Sequence, residues 1–380
     1  MSISSSNKNP EEPLDVLIIG GGLSGVLLAH KIHKANPATK WALLEARSVL
    51  GGRLANDDKG RLIDLGGAWV WPSHQPHMKA LLKKDLPSIK TFLQPDDPSS
   101  TRIDGGAVEM IHQLAKQLPK DQIHLDSPVE QCTVLTLTSN ENEQQCAENN
   151  NRLIRVGTKT GHSFVAKTVV LAVPPRLASK HIQFSPPLTA PKQSAMSSSH
   201  TWMAGVTKVS LEYSTAFWGQ DMSNMGLPRS HVGPAFQMYD ASTMDGSVHA
   251  LTFFCLVPPD ANTNDQALAD QIVNQVAMVW KHYGQFEMAQ GLQSYTQVHV
   301  QQWPREPYIS EDEKPNTIHP HPHPVRVLSQ PEWDGQLLFA GSETDLQSPG
   351  VMEGAVGAAH RVYSQLQQAR IPQNATAATK

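Results

Sequence analysis

Cysteine is scarce in this chain: Cys132, Cys146 and Cys255 are its three cysteines in 380 residues. An odd number at wide spacing argues against a disulfide framework and points to a reducing compartment, with the thiols structural or incidental. Long apolar runs are also missing. The longest, such as 169–173 and 251–257, are strand-length, far from the roughly 18 residues of a membrane span. Neither sign of charge dominates. Lys+Arg of 31 against Asp+Glu of 35 gives −4, so no global electrostatic drive toward nucleic acid or an anionic membrane is expected. The opening MSISSSNKNPEEP lacks an apolar core and reads as a disordered leader (1–13) rather than a secretory signal; 371–380 reads as a disordered tail. The default expectation is a soluble, cytoplasmic protein.

What is present is a globular composition, 39% hydrophobic and 17% charged, in a chain long enough for two to three domain-equivalents of roughly 150 residues. A chain of this size buries enough core to need no disulfide or structural metal. The run DVLII (Asp15–Ile19) reads as a buried parallel strand. A helical pattern follows and stops at Asn36-Pro37, and Trp41–Leu44 closes a βαβ unit. Further on, a helix is expected over 102–118 and strands over 129–137, 152–158 and 163–173. Ser139–Asn151 suits a polar hairpin tip, Pro174-Pro175 a break, and SPPLTAPKQ a linker. A second group of elements comprises strands over 207–213, 249–257 and 295–303 and a helix over 265–283. A short strand at 337–340 and a helix over 352–370 finish the chain.

Gly20-Gly21-Gly22-Leu23-Ser24-Gly25 fits G-x-G-x-x-G after a strand and before a helix. Gly20 allows the tight turn, Gly22 lets backbone approach a pyrophosphate, and Gly25 lets helix and strand pack closely. The helix N-terminus offers free N–H groups to phosphate. Glu45, about 20 residues on, suits a ribose hydroxyl. The motif alone is weak; its strand–turn–helix context and Glu45 make it a dinucleotide site.

Four blocks then carry a family resemblance. They are GGGLSG through Glu45 to Gly51-Gly52-Arg53; DLGGAWV (64–70); TVVLAVPPRLASKHIQFSPPL with MAGVTKVSLEYSTAFW; and FAGSET…GVMEGAV. In this order they resemble the flavin-containing amine oxidase family, which includes monoamine and polyamine oxidases. The resemblance implies an α/β two-domain flavoprotein: a Rossmann-like FAD-binding domain (14–78, 103–195 and 303–370) and a smaller mixed-sheet substrate domain (79–102 and 196–302). It implies FAD as cofactor, an amine and O2 as substrates, hydride transfer from the amine α-carbon to flavin N5, imine hydrolysis and release of hydrogen peroxide. Two other readings stay open: an FAD-dependent desaturase acting on a C–C bond of a hydrophobic molecule, and a non-catalytic FAD-containing binding protein.

The same resemblance assigns residues. Arg53, following two glycines, would fold back onto the pyrophosphate; it is otherwise a surface arginine. Gly66 and Gly67 would let backbone lie against the isoalloxazine, and Trp69 would wall that cavity or fill core. Val129 would pair the adenine edge through its backbone. Glu343 would bind a flavin-side hydroxyl or stand as a plain loop acid. Met352 and Ala355 open a helix whose N-terminus would face the electron-rich edge of the flavin. Leu23, Ser24, Ala46, Arg47, Ala68, Ala172, Trp303, Gly341 and Val351 complete the expected cofactor contacts. Lys208 matches the lysine that holds a water against flavin N5. Burial would lower its pKa, and strand alternation places it with Val206 and Ser210 on one face, where outward exposure is the alternative.

The departures are informative. No cysteine follows Trp303, so a non-covalent flavin is expected. Val351 stands where the family has one tyrosine of an aromatic cage, and the other falls near Glu311-Asp312-Glu313, so the cage is expected to be absent. Between DLGGAWV and Arg102 the family inserts a long helical roof that this chain lacks. The cavity is then smaller, open, or covered by a second copy or a partner chain. His319, His321 and His323 alternate with proline and read as a solvated extended loop rather than a metal site. No metal is expected.

Overall fold

A computed structural model describes residues 12–56, 63–93, 99–136, 152–219, 232–258, 264–310 and 318–369. The expected hairpin tip, the tail, the run Glu311–Glu313 and nearly all of the leader lie outside the described residues.

Leu14–Ile19 forms a strand with parallel partners on both edges. Trp41–Leu44 pairs on one side, ending Ile19↔Leu44, and Ser163–Leu171 on the other, ending Ile19↔Leu171. The far edge of Ser163–Leu171 is divided. Arg152–Thr158 takes its first half antiparallel, and Leu337–Phe339 takes its second half parallel, ending Phe339↔Leu171. The register therefore brings the carboxyl ends of these parallel strands (Ile19, Leu44, Leu171 and Phe339) to one sheet edge, where ligands bind in open α/β sheets. Val129–Thr136 and Gln183–Ser185 extend the sheet beyond Arg152–Thr158, and Ile123–His124 extends it beyond Trp41–Leu44.

The central strands are apolar on both faces because both are covered. Val16 and Ile18 pack with Val26 and Leu27 of the helix Leu23–Ala35 and with Ala359 and Val362 of the helix Met352–Ala369. Leu17 and Ile19 point the other way, onto Leu188 and Met196. Leu17, Ile18, Leu27 and Leu43 are fully buried, each worth about 1.5–3 kcal/mol of transfer free energy.

A second, antiparallel sheet has the order Ala235–Asp240, His249–Cys255, Thr207–Tyr213, Gln297–Gln302. Alternation sends Val209, Leu211 and Phe253 against Leu268, Ile272 and Val276 of the helix Asp265–His282. The opposite face carries Lys208, Ser210, Thr252 and Phe254, with Lys208 directly across from Phe254. A three-stranded ribbon, Trp69–Val70, Thr101–Ile103 and Thr91–Leu93, closes one side.

Two expectations fail here. The helix anticipated over 102–118 is Glu109–Ala115, with Thr101–Ile103 a strand. Gly105 and Gly106 turn the chain at φ +88° and +83°, which no right-handed helix accommodates. The anticipated linker SPPLTAPKQ instead runs from a short strand, Gln183–Ser185, into a helix, Ala190–Ser198, because Pro191 sits in the first turn where it costs no hydrogen bond. That helix buries Lys192, whose Nζ donates to the Gln330 carbonyl at 2.6 Å.

Candidate active site

One continuous cavity of about 1100 Å³ opens at the shared strand-end edge and runs on to the outer face of the second sheet. Ligand pockets for drug-sized molecules occupy about 300–1,000 Å³, so this one is large enough for a sizeable cofactor.

At the strand-end side the glycine loop is built by close approach. A Cβ on Gly25 would lie 2.0 Å from the Gly20 carbonyl oxygen, so only glycine lets this helix sit on its strand. Gly51 N donates to Gly21 O at 2.9 Å, docking the following loop beside the first. Gly52, at φ +60°, faces Gly22 so closely that a Cβ would stand 3.1 Å from the Gly22 Cα. Gly22 has no side chain with which to cap the helix Leu23–Ala35, and its first-turn N–H groups are left for an anion. Glu45 is held by both oxygens: Gly21 N donates to Oε2 at 2.6 Å and Arg47 N to Oε1 at 3.0 Å. A carboxylate has about four lone-pair sites, which leaves Glu45 capacity for a sugar hydroxyl. Val129 and Ala172 line the same end.

Arg53 reaches the cavity wall with its fork already oriented. Nη1 pairs with Glu343 Oε1 at 2.8 Å and Nη2 donates to Ser342 Oγ at 2.7 Å. The opening of the helix Met352–Ala369 contributes Val351, Met352 and Ala355. Buried Glu353 accepts from His77 N and Met78 N, at 2.9 and 2.8 Å, and fixes this helix start to the segment after DLGGAWV.

At the other end stands Lys208, 3% exposed. Its Nζ donates to Gly66 O at 2.6 Å, to Tyr239 Oη at 3.1 Å and to Asp64 O at 3.3 Å. The rings of Phe254, Tyr239 and Trp69 stand 4.9, 5.2 and 5.6 Å away. Burial pushes the Lys208 ammonium down to about 7, against the opposing pull of Asp64. Asp64 is pushed up to about 6 by burial, held back by the Lys208 charge and the Ala107 N–H that its Oδ1 accepts. Arg102, 4% exposed, stacks over Phe92 and reaches the Tyr239 ring. The outward-exposure alternative for Lys208 is therefore overturned: its face of the strand is covered by the DLGGAWV segment.

Of the residues expected at the cofactor, Gly20, Gly22, Leu23, Ser24, Glu45, Ala46, Gly52, Arg53, Gly66, Gly67, Ala68, Trp69, Val129, Ala172, Trp303, Val351, Met352 and Ala355 line the cavity. Gly25, Arg47, Gly341 and Glu343 do not. Gly25 packs on Gly20, and Arg47 donates to Gly52 O. Gly341 packs on the Val173 carbonyl. Glu343, 1% exposed, faces Arg53 because a buried carboxylate needs a counterion.

Trp69 meets both of its readings: it lines the cavity and packs at 4.4 Å on Tyr239 and 5.8 Å on Phe254. Aromatic walls are present after all, supplied by the second sheet rather than by the expected cage positions. The His-Pro loop leaves His321 and His323 exposed, as expected, with His319 half-buried and ring contacts on one side. His321 lies 4.2 Å from Trp202, His319 stacks at 4.3 Å on His200, and His321 faces the cavity. Asp64, Arg102, Tyr239, Phe254 and Trp202 escaped the sequence reading. Asp64 lay inside a quoted motif, and the alternation of 235–240 was the one signal for Tyr239. Among the described residues no group of His, Cys, Asp or Glu suits a metal ion, and no helix is long and apolar enough to cross a membrane.

Comparison with known proteins agrees with this geometry. Residues 89–362 match the family model of flavin-containing amine oxidoreductases, and 18–84 match an NAD(P)-binding Rossmann-like domain. The chain belongs to the flavin-containing amine oxidoreductases. Amine oxidase B of Sus scrofa is 26% identical over 279 residues, 71% of this chain and 48% of that protein. The L-amino acid dehydrogenase of Synechocystis sp. is 36% identical over 90 residues, 23% of this chain and 18% of that protein. The chain thus spans about half or less of these curated relatives. Its fold matches cyclohexylamine oxidase of Brevibacterium oxydans at TM-score 0.70 and 15% identity, covering 94% of this chain and 99% of that one. Putrescine oxidase bound to putrescine matches at TM-score 0.69 and 17% identity, with the same coverage.

The residues present fit the family's FAD. The glycine loop leaves an uncapped helix end for the pyrophosphate and Glu45 retains acceptor capacity. Arg53 lines the cavity with its guanidinium fixed by Glu343 and Ser342, and the volume suffices.

Proposed function

We propose that this protein oxidises a primary or secondary amine, or the amine of an amino acid, using FAD held without a covalent link and O2 as the final electron acceptor. The observation that carries the reading is Lys208, a buried amine placed at the far end of the same cavity whose near end is the dinucleotide loop.

The glycine loop, Glu45 and Arg53 would hold the adenosine and pyrophosphate of FAD, and Gly66, Gly67 and Met352 would flank its ring system. FAD supplies the hydride acceptor when bound. The chain does the rest. Trp69, Tyr239 and Phe254 form an apolar wall that strips water from an amine and favours its neutral form, the form that can lose hydride. Their ring faces also suit the approach of a cationic amine before it loses its proton. Lys208, with an ammonium brought down to about 7 by burial, changes its protonation near neutral pH beside the place where the amine would react. We read the chain as an FAD-binding unit of 14–78, 103–195 and 303–370 with a reduced substrate unit of 79–102 and 196–302.

The test is anaerobic titration of the purified yellow protein with a panel of amines, followed by air. Bleaching, recovery and stoichiometric peroxide are expected. Bleaching by no amine, together with double-bond formation in a lipophilic substrate, would refute the reading.

A further inference from the structure

A lysine that titrates inside a protein has a positional problem. The ammonium has three N–H donors and no acceptor; the amine has two donors and a lone pair. A pocket built for one form expels the other. The surroundings of Lys208 supply three oxygens within 3.3 Å of Nζ: the carbonyls of Gly66 and Asp64 and the Tyr239 hydroxyl. The carbonyls can only accept. The hydroxyl can accept or donate, and it has a second place for its proton, since Tyr239 Oη also lies 3.4 Å from the Asp64 carbonyl oxygen.

We propose that Tyr239 is the positioning residue for Lys208, accepting from Nζ while Lys208 is charged and donating to Nζ while it is neutral. In the charged state Nζ donates to all three oxygens and the Tyr239 proton points to Asp64 O. When the N–H facing Tyr239 gives its proton to a water or substrate base in the cavity, the phenol O–H rotates and donates to the new lone pair, while the two remaining N–H groups keep Gly66 O and Asp64 O. No heavy atom moves, so Nζ keeps its place at the cavity wall in both protonation states.

The rest of the shell supports this. Tyr239 is 5% exposed and its ring is pinned at 4.4 Å by Trp69. Across the strand pair it faces Thr252, whose hydroxyl is taken up by Ser210 at 2.9 Å. Burial raises the phenol well above its ordinary pKa, so it stays a hydroxyl and serves as a rotor rather than an acid. The charged and titratable groups acting on Lys208 are Asp64, which favours the ammonium, and Arg102, which opposes it. Both are buried, and neither has the reversible polarity of the phenol.

The catalytic consequence rests on the amine-oxidase reading; the titration does not. Uniform 13Cε-lysine labelling of the flavin-loaded protein gives one signal lost in Lys208→Met, and its midpoint reads the Lys208 proton directly. Removing the hydroxyl in Tyr239→Phe takes a charge-assisted acceptor from the ammonium and a weaker donor from the amine. Charge-assisted bonds are roughly twice as strong, so the midpoint should fall by about one pH unit, with the acid limb of flavin reduction by a substrate amine moving with it. The FAD dissociation constant should change less than about twofold. Tyr239 replaced by 3-fluorotyrosine keeps the hydroxyl and should restore the midpoint to within a few tenths of a unit, which separates the hydroxyl from any packing effect. An unmoved Lys208 midpoint in Tyr239→Phe overturns the proposal, as does a shift that fluorotyrosine fails to reverse. A moved midpoint in a protein that no amine reduces would sustain the Tyr239 role and sink the amine-oxidase reading alone.

Discussion

Replacing Lys208 with Met should change how stability depends on pH, by an amount the geometry sets. The two side chains are close in volume, so no cavity is created and the charge is the main difference. In the folded chain the Lys208 ammonium sits at about 7, below its ordinary 10.5, first because burial strips its water. The unfolded chain keeps that proton up to about pH 10.5. Between about 7 and 10.5 the unfolded state therefore binds more protons, and stability rises with pH at up to about 1.4 kcal/mol per pH unit from this group. Below about 7 both states are protonated and the full penalty applies. The Met variant has no such group. Other titrations cancel in the difference between the two proteins, apart from Asp64, which loses its cation and rises. Above about pH 8 that effect is complete or small, so the window from about pH 8 to 10 isolates Lys208.

Over that window the wild type should gain about 2–3 kcal/mol on Lys208→Met. The offset near pH 7 is a poor test. Removing the Lys208 ammonium relieves its burial penalty but leaves buried Asp64 without its cation, and Gly66 O and Tyr239 Oη lose a donor, at about 1–3 kcal/mol for each buried group left unsatisfied. These terms oppose each other; the slope has one cause. Urea unfolding at several pH values, with equal free FAD in every sample so that ligand linkage is constant, measures it. Parallel curves, agreeing within about 0.5 kcal/mol across the window, would mean that Lys208 keeps its ordinary proton affinity and that its burial has been misread.

Gly25→Ala puts a Cβ 2.0 Å from Gly20 O, and since overpacking costs about 1–3 kcal/mol or more, thermal denaturation should show that loss together with FAD binding weakened at least about tenfold. Glu343→Gln removes the charge paired with Arg53 while keeping the shape, and isothermal titration should show weaker FAD binding because the Arg53 fork loses its fixed orientation; unchanged affinity would show that Ser342 alone suffices. Asp64→Asn keeps an acceptor for Ala107 N but removes the charge that raises Lys208, so the Lys208 NMR midpoint should fall. Trp202→Ala uncovers His321, whose imidazole is held below its ordinary pKa by partial burial, and its ring signals should titrate at higher pH than in the wild type.

The parts of this molecule legible in the sequence are those where backbone geometry restricts residue type. Gly20, Gly22 and Gly25 announce a turn that nothing larger can make, and the βαβ unit from Leu14 to Leu44 follows its apolar pattern almost residue for residue. Lys208 was visible as a lone cation in an apolar strand. What surrounds it was not. Tyr239 belongs to a strand separated from Lys208 by a long stretch of sequence, and its approach depends on the pairing of two strands with His249–Cys255. Asp64 reaches the site from a different part of the fold altogether. Sequence periodicity reports which face of a strand a residue occupies; it carries no information about which segment covers that face. The same limit explains Glu343. Its position after a strand end suggested a ligand contact, but only the fold shows Arg53 arriving beside it first.

The short span between DLGGAWV and Arg102 gains a physical meaning from the outer face of the second sheet. A cavity wall needs apolar surface that excludes water and rings that orient a small amine, and neither requirement specifies an inserted helical roof. Here Tyr239 and Phe254 come from paired strands, and Trp69 from the ribbon that also holds Arg102. A wall built on sheet is fixed by its ladder of hydrogen bonds, so it loses little conformational entropy when a substrate arrives. The remaining side is bordered by the extended His-Pro loop on Trp202, which has no ladder to hold it. On the proposed amine-oxidase reading, the sheet side would face the reacting carbon, and the loop side would face whatever the amine carries beyond it.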